Sequence, residues 1–370
     1  MEAPFPLVRV ASPDPRERGR MIGEEVRERV AESVAIYQET FDHYTGLRWE
    51  EVTALALEFA APIAAYDPAI LAEIEGIAEG ASLSRGDLLA VNARSEIMFG
   101  LGAPAQPECT VFFAGPTATA DGHVLLGQNW DWRPRTSETV TIFEIGQGPD
   151  LPSFTAVAEA GVVGKTGFNE HGVGVTINSL VTDRDRGERL LPTHAVLRGI
   201  LNSTTVEEAF AAVVRARRGA SATYTIASAA GAGVALETAP GGIEGVRVVH
   251  PVDDLLFHTN HFTCTVPFHD VGVEMWTDSV ARLRTIDDFL GPRRGAITVD
   301  TVKAALSDEE GHPDAISRFA NPDFHPVLQG ETVTSVVMDL TARSAAVTAG
   351  PPSANEYAEL VPAFAAGGSA

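Results

Sequence analysis

A change of hydrophobic period divides this chain in two. From Asp14 to about Gly100, apolar residues recur three, four and seven positions apart. In PRERGRMIGEEVRERVAESVAIYQETF, Ile22, Val26, Val30, Val34 and Phe41 stand between charges, the spacing of one buried helix face. Shorter helices are predicted after it, broken at Pro62, at Asp67 with Pro68, and near Gly80. Beyond residue 108 the period becomes two. CTVFFAG and HVLLGQNW flank PTATADG, whose Asp121 and Gly122 signal a hairpin turn. That hairpin predicts that residues near 110 pair with residues near 128, bringing Cys109 to the neighbourhood of Asn129–Asp131. The intervening GLGAPAQPE, residues 100–108, has two prolines and no period, and predicts an exposed loop.

Strand-like runs continue at 140–145, 154–160, 162–168, 172–179, 222–228, 233–238, 244–249, 255–259, 332–340 and 343–349. Helical blocks interrupt them at THAVLRGILNSTTVEEAFAAVVRA, with Thr204 and Glu207 as a capping box, and at TDSVARLRTIDDFLG and TVDTVKAALSD. Strands in a mainly antiparallel meander with helices in separate blocks predict an α+β layered fold. No fixed-period repeat is visible, and the tail AAGGSA is expected to fray.

The formal charge of −23, from 27 Lys and Arg against 50 Asp and Glu, repels polyphosphate backbones and anionic lipid. Nucleic acid and membrane are therefore not expected partners. The stretch MEAPFPLVRVASPDP has no basic n-region, and no window holds about 18 uninterrupted apolar residues. A cytoplasmic location is expected. Two cysteines, Cys109 and Cys264, cannot build a disulfide framework and are expected to be thiols.

A free cysteine is usually a small buried hydrophobe. Cys109 has a second option. With a pKa near 8.5 a thiol needs a base to act at neutral pH. If the preceding peptide bond is cut, the new α-amino group, with a pKa of about 7.7 to 8.0, lies within reach of its own side chain. Cutting after Glu108 would need attack of the thiol on the preceding carbonyl, an N-to-S acyl shift, and hydrolysis.

VNARSEIMFG, ECTVFF, GQNWDW, EAGVVGKTGFNEHGVGVTINSL and LLFHTNHF resemble, in order and spacing, the isopenicillin N (acyl-coenzyme A:aminopenicillanic acid) acyltransferase family, peptidase family C45. Its members are self-cleaving N-terminal-nucleophile enzymes. The likeness runs from about residue 15 to 350. It implies a four-layer αββα sandwich, with residues 1–108 as a helical α chain or pro-segment and 109–370 as the catalytic β chain. The two would remain packed as a heterodimer after a break between Glu108 and Cys109. By the same resemblance Cys109 is the nucleophile, Asp131 assists cleavage and orients the new amine, and Asn260 helps hold the oxyanion. Asn129 and Asn178 are weaker candidates for supporting hydrogen bonds. The implied activity is acyl transfer or hydrolysis of a small amide, thioester, peptide or lactam, with no cofactor and with coenzyme A entering only as an acyl-donor substrate.

Two departures stand out. Glu108 occupies the family's glycine position before the cysteine, and Gln329 falls by position where the family has an arginine. Both keep open an uncleaved, catalytically inactive member of the fold acting as a binding protein. HTNHFTC offers His258, His261 and Cys264, but alternation sends the two histidines to opposite faces, so no metal site is expected. GAGVAL near Gly231 predicts a hairpin turn. DRDRGER, residues 183–189, predicts a solvated loop that could lie beside the substrate.

Overall fold

The computed structural model describes residues 3–102 and 108–366. Most of the loop expected at 100–108 and the end of the tail lie outside the described residues.

Helices α1 (Pro15–Glu25), α2 (Arg27–Thr45), α3 (Trp49–Ala56), α4 (Ala60–Tyr66), α5 (Pro68–Ala81), α6 (Arg85–Asn92) and α7 (Arg94–Gly100) fill the first part of the chain. Asp14 caps α1 and Asp67 caps α5, each with its carboxylate on backbone N–H groups and with proline in the first turn. Before them, β1 (Leu7–Ala11) is a short strand ahead of the helical period that sequence reasoning did not find.

The later strands are β2 (Glu108–Ala114), β3 (Leu125–Trp132), β4 (Val140–Gly146), β5 (Phe154–Glu159), β6 (Thr166–Asn169), β7 (Val173–Ser179), β8 (Ala222–Ser228), β9 (Gly233–Thr238), β10 (Val246–Val249), β11 (Leu255–His258), β12 (Glu331–Asp339), β13 (Ser344–Val347) and β14 (Ala358–Leu360). Helices α8 (Thr193–Leu201), α9 (Val206–Val214), α10 (Gly272–Met275), α11 (Ser279–Leu290), α12 (Val299–Leu306) and α13 (Ala363–Ala366) complete the described fold. The cap of α9 is Thr205, whose hydroxyl accepts from Glu208 N. That is one residue later than the Thr204–Glu207 box expected from sequence, because Thr204 instead donates to the Glu208 carboxylate.

Two sheets form. One runs β1-β4-β5-β6-β7-β8-β9-β10 and the other β11-β2-β3-β12-β13-β14. Every strand pair is antiparallel except β1 with β4. The sheets face each other through β2 and β3 against β7. Helices α11 and α12 cover the outer face of the six-stranded sheet, packing Ile286, Leu290 and Val302 on Phe112, Leu125 and Val337. Helices α8 and α9 lie on the other sheet. The layers are therefore α, β, β, α, with the first hundred residues built into the molecule: β1 is the edge strand of the larger sheet.

Helices α1 and α5 touch backbone to backbone. A Cβ at Gly19 would stand 2.1 Å from the Glu73 carbonyl oxygen, and one at Gly76 2.1 Å from that of Arg16. Glu73 in turn binds Arg18 and, with two bonds of 2.6 and 2.7 Å, Arg198 of α8. Gly19→Ala is expected to force the pair apart and cost about 1–3 kcal/mol or more, read as a lower urea midpoint. An unchanged midpoint would show that the helices separate freely.

Candidate active site

Cys109 is the second residue of β2, and the hairpin fixes its neighbours. Thr110 opposes Asn129, Cys109 opposes Trp130, and Glu108 opposes Asp131. Side chains alternate along a strand and directly opposed residues share a face. Cys109 and Trp130 thus point between the sheets, while Asp131 points towards the helical layer, beside the backbone that leads into the cysteine.

The backbone of Cys109 is gripped at both ends. Its N–H donates to Asn260 Oδ1 at 2.9 Å. Its carbonyl accepts from Asn178 Nδ2 at 3.1 Å and from Arg282 Nη1 at 2.9 Å. Asn260 Oδ1 also accepts from Arg282 Nη2 at 3.0 Å, and its Nδ2 donates to the Ser179 carbonyl. Asn260 therefore serves here as an acceptor for the cysteine nitrogen, whereas the family resemblance implies a donor to an oxyanion. The loop after β11 that carries it is tied down by buried Glu237. That carboxylate accepts from His258 at 3.0 Å and from the backbone of Thr263 and Cys264.

Asp131 is fully buried. Its Oδ1 accepts from the Thr332 hydroxyl at 2.6 Å, and Arg318 Nε stands 3.8 Å from Oδ2. Burial nevertheless raises the carboxyl to about 6, against the pull of Arg318, Arg282 and Thr332. Asp278 joins the two arginines, 2.6 Å from Arg282 Nε and 2.5 Å from Arg318 Nη2. Gln329 donates to the Phe324 carbonyl; the guanidinium beside Asp131 is that of Arg318, eleven positions upstream. Asn129 donates to the carbonyls of Leu306 and Ile316 on the face away from the thiol, so it anchors the α12 end and does not border the cysteine side chain.

The thiol opens on a cavity of about 30 Å³ walled by Cys109, Trp130, Trp132, Lys165, Ile177 and Ser179, and by Arg94 and Phe99 from α7. Burial and the Asp131 charge push the thiol up to about 12, with Lys165 and Arg282 acting in the opposite sense. The Cys109 thiol is thus held neutral at neutral pH. Lys165 just precedes β6; burial brings its ammonium down to about 8, moderated by Glu159. Arg94, Lys165 and Tyr37 all reach Glu159. Sequence reasoning missed Arg94, Lys165, Arg282 and Arg318. A lone lysine inside the glycine-rich apolar run AGVVGKTGF was a usable signal, as was the Asp278–Arg282 spacing of four on a helix.

Both cysteines are free, and no cluster of three metal-ligating side chains occurs among the described residues. The 183–189 loop reaches the site indirectly: Asp185 accepts from the Ser221 backbone and hydroxyl at 2.8 and 2.6 Å, and Ser221 lines the same cavity. No helix among the described residues is long and apolar enough to cross a membrane.

A family profile described as acyl-coenzyme A:6-aminopenicillanic acid acyl-transferase matches residues 117–354. The chain belongs to this family. The match begins downstream of Cys109. The chain is 31% identical over 287 residues to the 40 kDa form of acyl-coenzyme A:6-aminopenicillanic-acid-acyltransferase from Emericella nidulans, covering 77% of this chain and 76% of that protein. Among solved structures it is similar to a mutant of the conjugated bile acid hydrolase from Clostridium perfringens, with 13% identity, 68% of this chain and 96% of the other covered, and a TM-score of 0.42. It is also similar to penicillin V acylase from Agrobacterium tumefaciens, with 16% identity, 65% and 82% coverage, and a TM-score of 0.40. Family membership supports acyl transfer or amide hydrolysis as the chemistry of the acyltransferase fold described above.

Proposed function

We propose that the protein is a self-cleaving cysteine acyltransferase or amide hydrolase, in which the bond between Glu108 and Cys109 is cut and both chains stay together. The observation that supports this reading is the grip on Cys109: Asn260 on its nitrogen, Asn178 and Arg282 on its carbonyl, and a cavity left open to its sulfur. The residue is held at its backbone, while its sulfur, which accepts from Gln128 Nε2 at 3.7 Å, faces the cavity.

In the mature enzyme the new amine of Cys109 remains with Asn260 Oδ1 and takes the thiol proton. The thiolate attacks the carbonyl carbon of a small amide or thioester. Asn260 Nδ2, released from the Ser179 carbonyl, holds the oxyanion together with a backbone N–H. Collapse of that intermediate expels the amine or thiol leaving group, which takes the proton, and leaves an acyl-cysteine. Water then gives hydrolysis; an amine gives transfer. A coenzyme A thioester can enter as donor, and no bound cofactor takes part in these steps.

Brief exposure of fresh enzyme to a simple acyl thioester tests this. The fragment beginning at Cys109 is expected to gain the acyl mass, and an added amine is expected to remove it as the acylated amine. Acylation at any other residue, or none, would sink the proposal.

A further inference from the structure

The cavity beside Cys109 is rich in donors and poor in acceptors. Trp132 Nε1 and Arg94 Nε are buried with no hydrogen-bond partner among the described residues. Both side chains line the cavity, at 4% and 2% exposure respectively. Lys165 has three N–H bonds to give, yet its carboxylate partner Glu159 stands 3.4 Å away, and its ammonium lies 3.4 Å from the centre of the Trp130 ring. Glu159 is already shared. One oxygen takes Tyr37, and the other takes Arg94 at 2.6 Å together with Lys165. Two cations therefore meet one carboxylate.

The neighbouring histidine does not relieve this. His194 Nδ1 faces the Gly164 carbonyl at 2.6 Å and its Nε2 meets Arg94 Nη1. Next to a guanidinium, that nitrogen must be the lone-pair acceptor, so the ring is neutral, and burial with Arg94 and Lys165 holds its pKa well below the usual range. Glu96 Oε1 is turned to the Thr193 N–H and hydroxyl, 2.8 Å from each, and its Oε2, a buried acceptor with no partner among the described residues, is not on the cavity wall. Buried unpaired donors are costly. Unmet donors on a cavity wall that includes the cations Arg94 and Lys165 call for an anionic acceptor.

We propose that Arg94, Trp132 and Lys165 form an anion subsite that receives a carboxylate of the substrate while Cys109 attacks its acyl carbon. This deepens the proposed function and rests on it: the enzyme would select acyl compounds that carry a free carboxylate close to the scissile carbonyl. A cavity of about 30 Å³ admits a group of carboxylate size.

Alkylation of Cys109 in the enzyme as isolated tests this without knowing the substrate. Iodoacetate and iodoacetamide carry the same reacting carbon: the thiolate sulfur bonds to it and iodide leaves. They differ in charge alone. A change in thiol pKa alters both rates equally, so their ratio reports the subsite and not activation of the sulfur. Lys165→Met is expected to lower the iodoacetate-to-iodoacetamide rate ratio at Cys109 by about tenfold or more, while Lys165→Arg keeps it. Trp132→Phe is expected to lower it by several-fold. Glu159 retains Arg94 and Tyr37 in Lys165→Met, so the fold stays satisfied. A ratio that stays within about twofold of wild type in Lys165→Met overturns the subsite and leaves the nucleophile reading standing. No alkylation of Cys109 by either reagent overturns both.

Discussion

Cys109→Ala is expected to remain one chain of 39.2 kDa, where the wild type yields residues 1–108 and 109–370, and to lose all turnover. The substitution removes one sulfur from a nearly closed cavity, with the cysteine at 3% exposure, so it costs the fold little and the variant should melt close to wild type. The two effects have one cause. In the proposed scheme sulfur is the atom that attacks the Glu108 carbonyl in the acyl shift, and the same sulfur carries the acyl group in turnover. Intact mass and sequencing of the new amino end decide the matter. Wild-type protein that is active yet begins only at its original methionine would remove the maturation scheme, and turnover in Cys109→Ala would remove the nucleophile.

Asp131→Asn should slow cleavage and turnover by about a hundredfold or more, in the range typical of a lost acid or base. Asparagine can still accept from the Thr332 hydroxyl, and Arg318 keeps Asp278 and Asp314, so folding survives. The pH dependence separates chemistry from structure. Asp131 titrates at about 6 in the uncleaved chain. If its carboxylate orients the amine, one limb of the wild-type turnover profile rises through that region, below the second rise expected where the amine itself loses its proton, at about 7.7 to 8.0. The ammonium that the proposed cleavage releases would add a positive charge that favours the carboxylate, so the limb in the processed enzyme would fall at or below about 6. Stability runs the other way. The folded-state pKa lies above the ordinary 3.8, so the group favours the fold fully below about 4, and this contribution is lost as pH rises through about 6. Asp131→Asn removes that dependence and should not destabilise the protein at pH 7. A parallel loss of activity and stability would mark Asp131 as merely structural.

The hairpin around Cys109 was legible because it is local. Period-two runs on either side of Asp121–Gly122 determine which residues can oppose each other, and the pairing of Thr110 with Asn129 lies within a residue of that expectation. Alternation also puts Asn129 and Asp131 on one face and Trp130 with Cys109 on the other, but a strand read without its sheet does not say which face is which. Asn178 and Asn260 come from a strand of the other sheet and a loop after β11, and only the family likeness drew attention to them. The buried cations were illegible for a different reason. Charges on helices read as solvated, and Arg282 or Arg94 becomes a buried partner only when a strand far away in sequence closes over it. Arg318 was hidden by the assumption that the arginine must directly precede β12. It instead reaches Asp131 from the irregular segment before that strand, where its N–H donates to the Thr332 hydroxyl and its carbonyl accepts from Thr332 N. The strand β1 was missed because LVRVA is short and its partner β4 lies more than a hundred residues later.

The edge position of β1, together with the contribution of α7 to the cavity wall, has a thermodynamic corollary. In the uncut chain these pieces and the rest of the sheet belong to one molecule, and their meeting is a first-order event. If the proposed cleavage occurs, the same contacts join two molecules, and reassembly from the denatured state depends on concentration. Denaturation of the precursor would then be reversible on dilution, whereas the processed enzyme would survive only as long as it never comes apart.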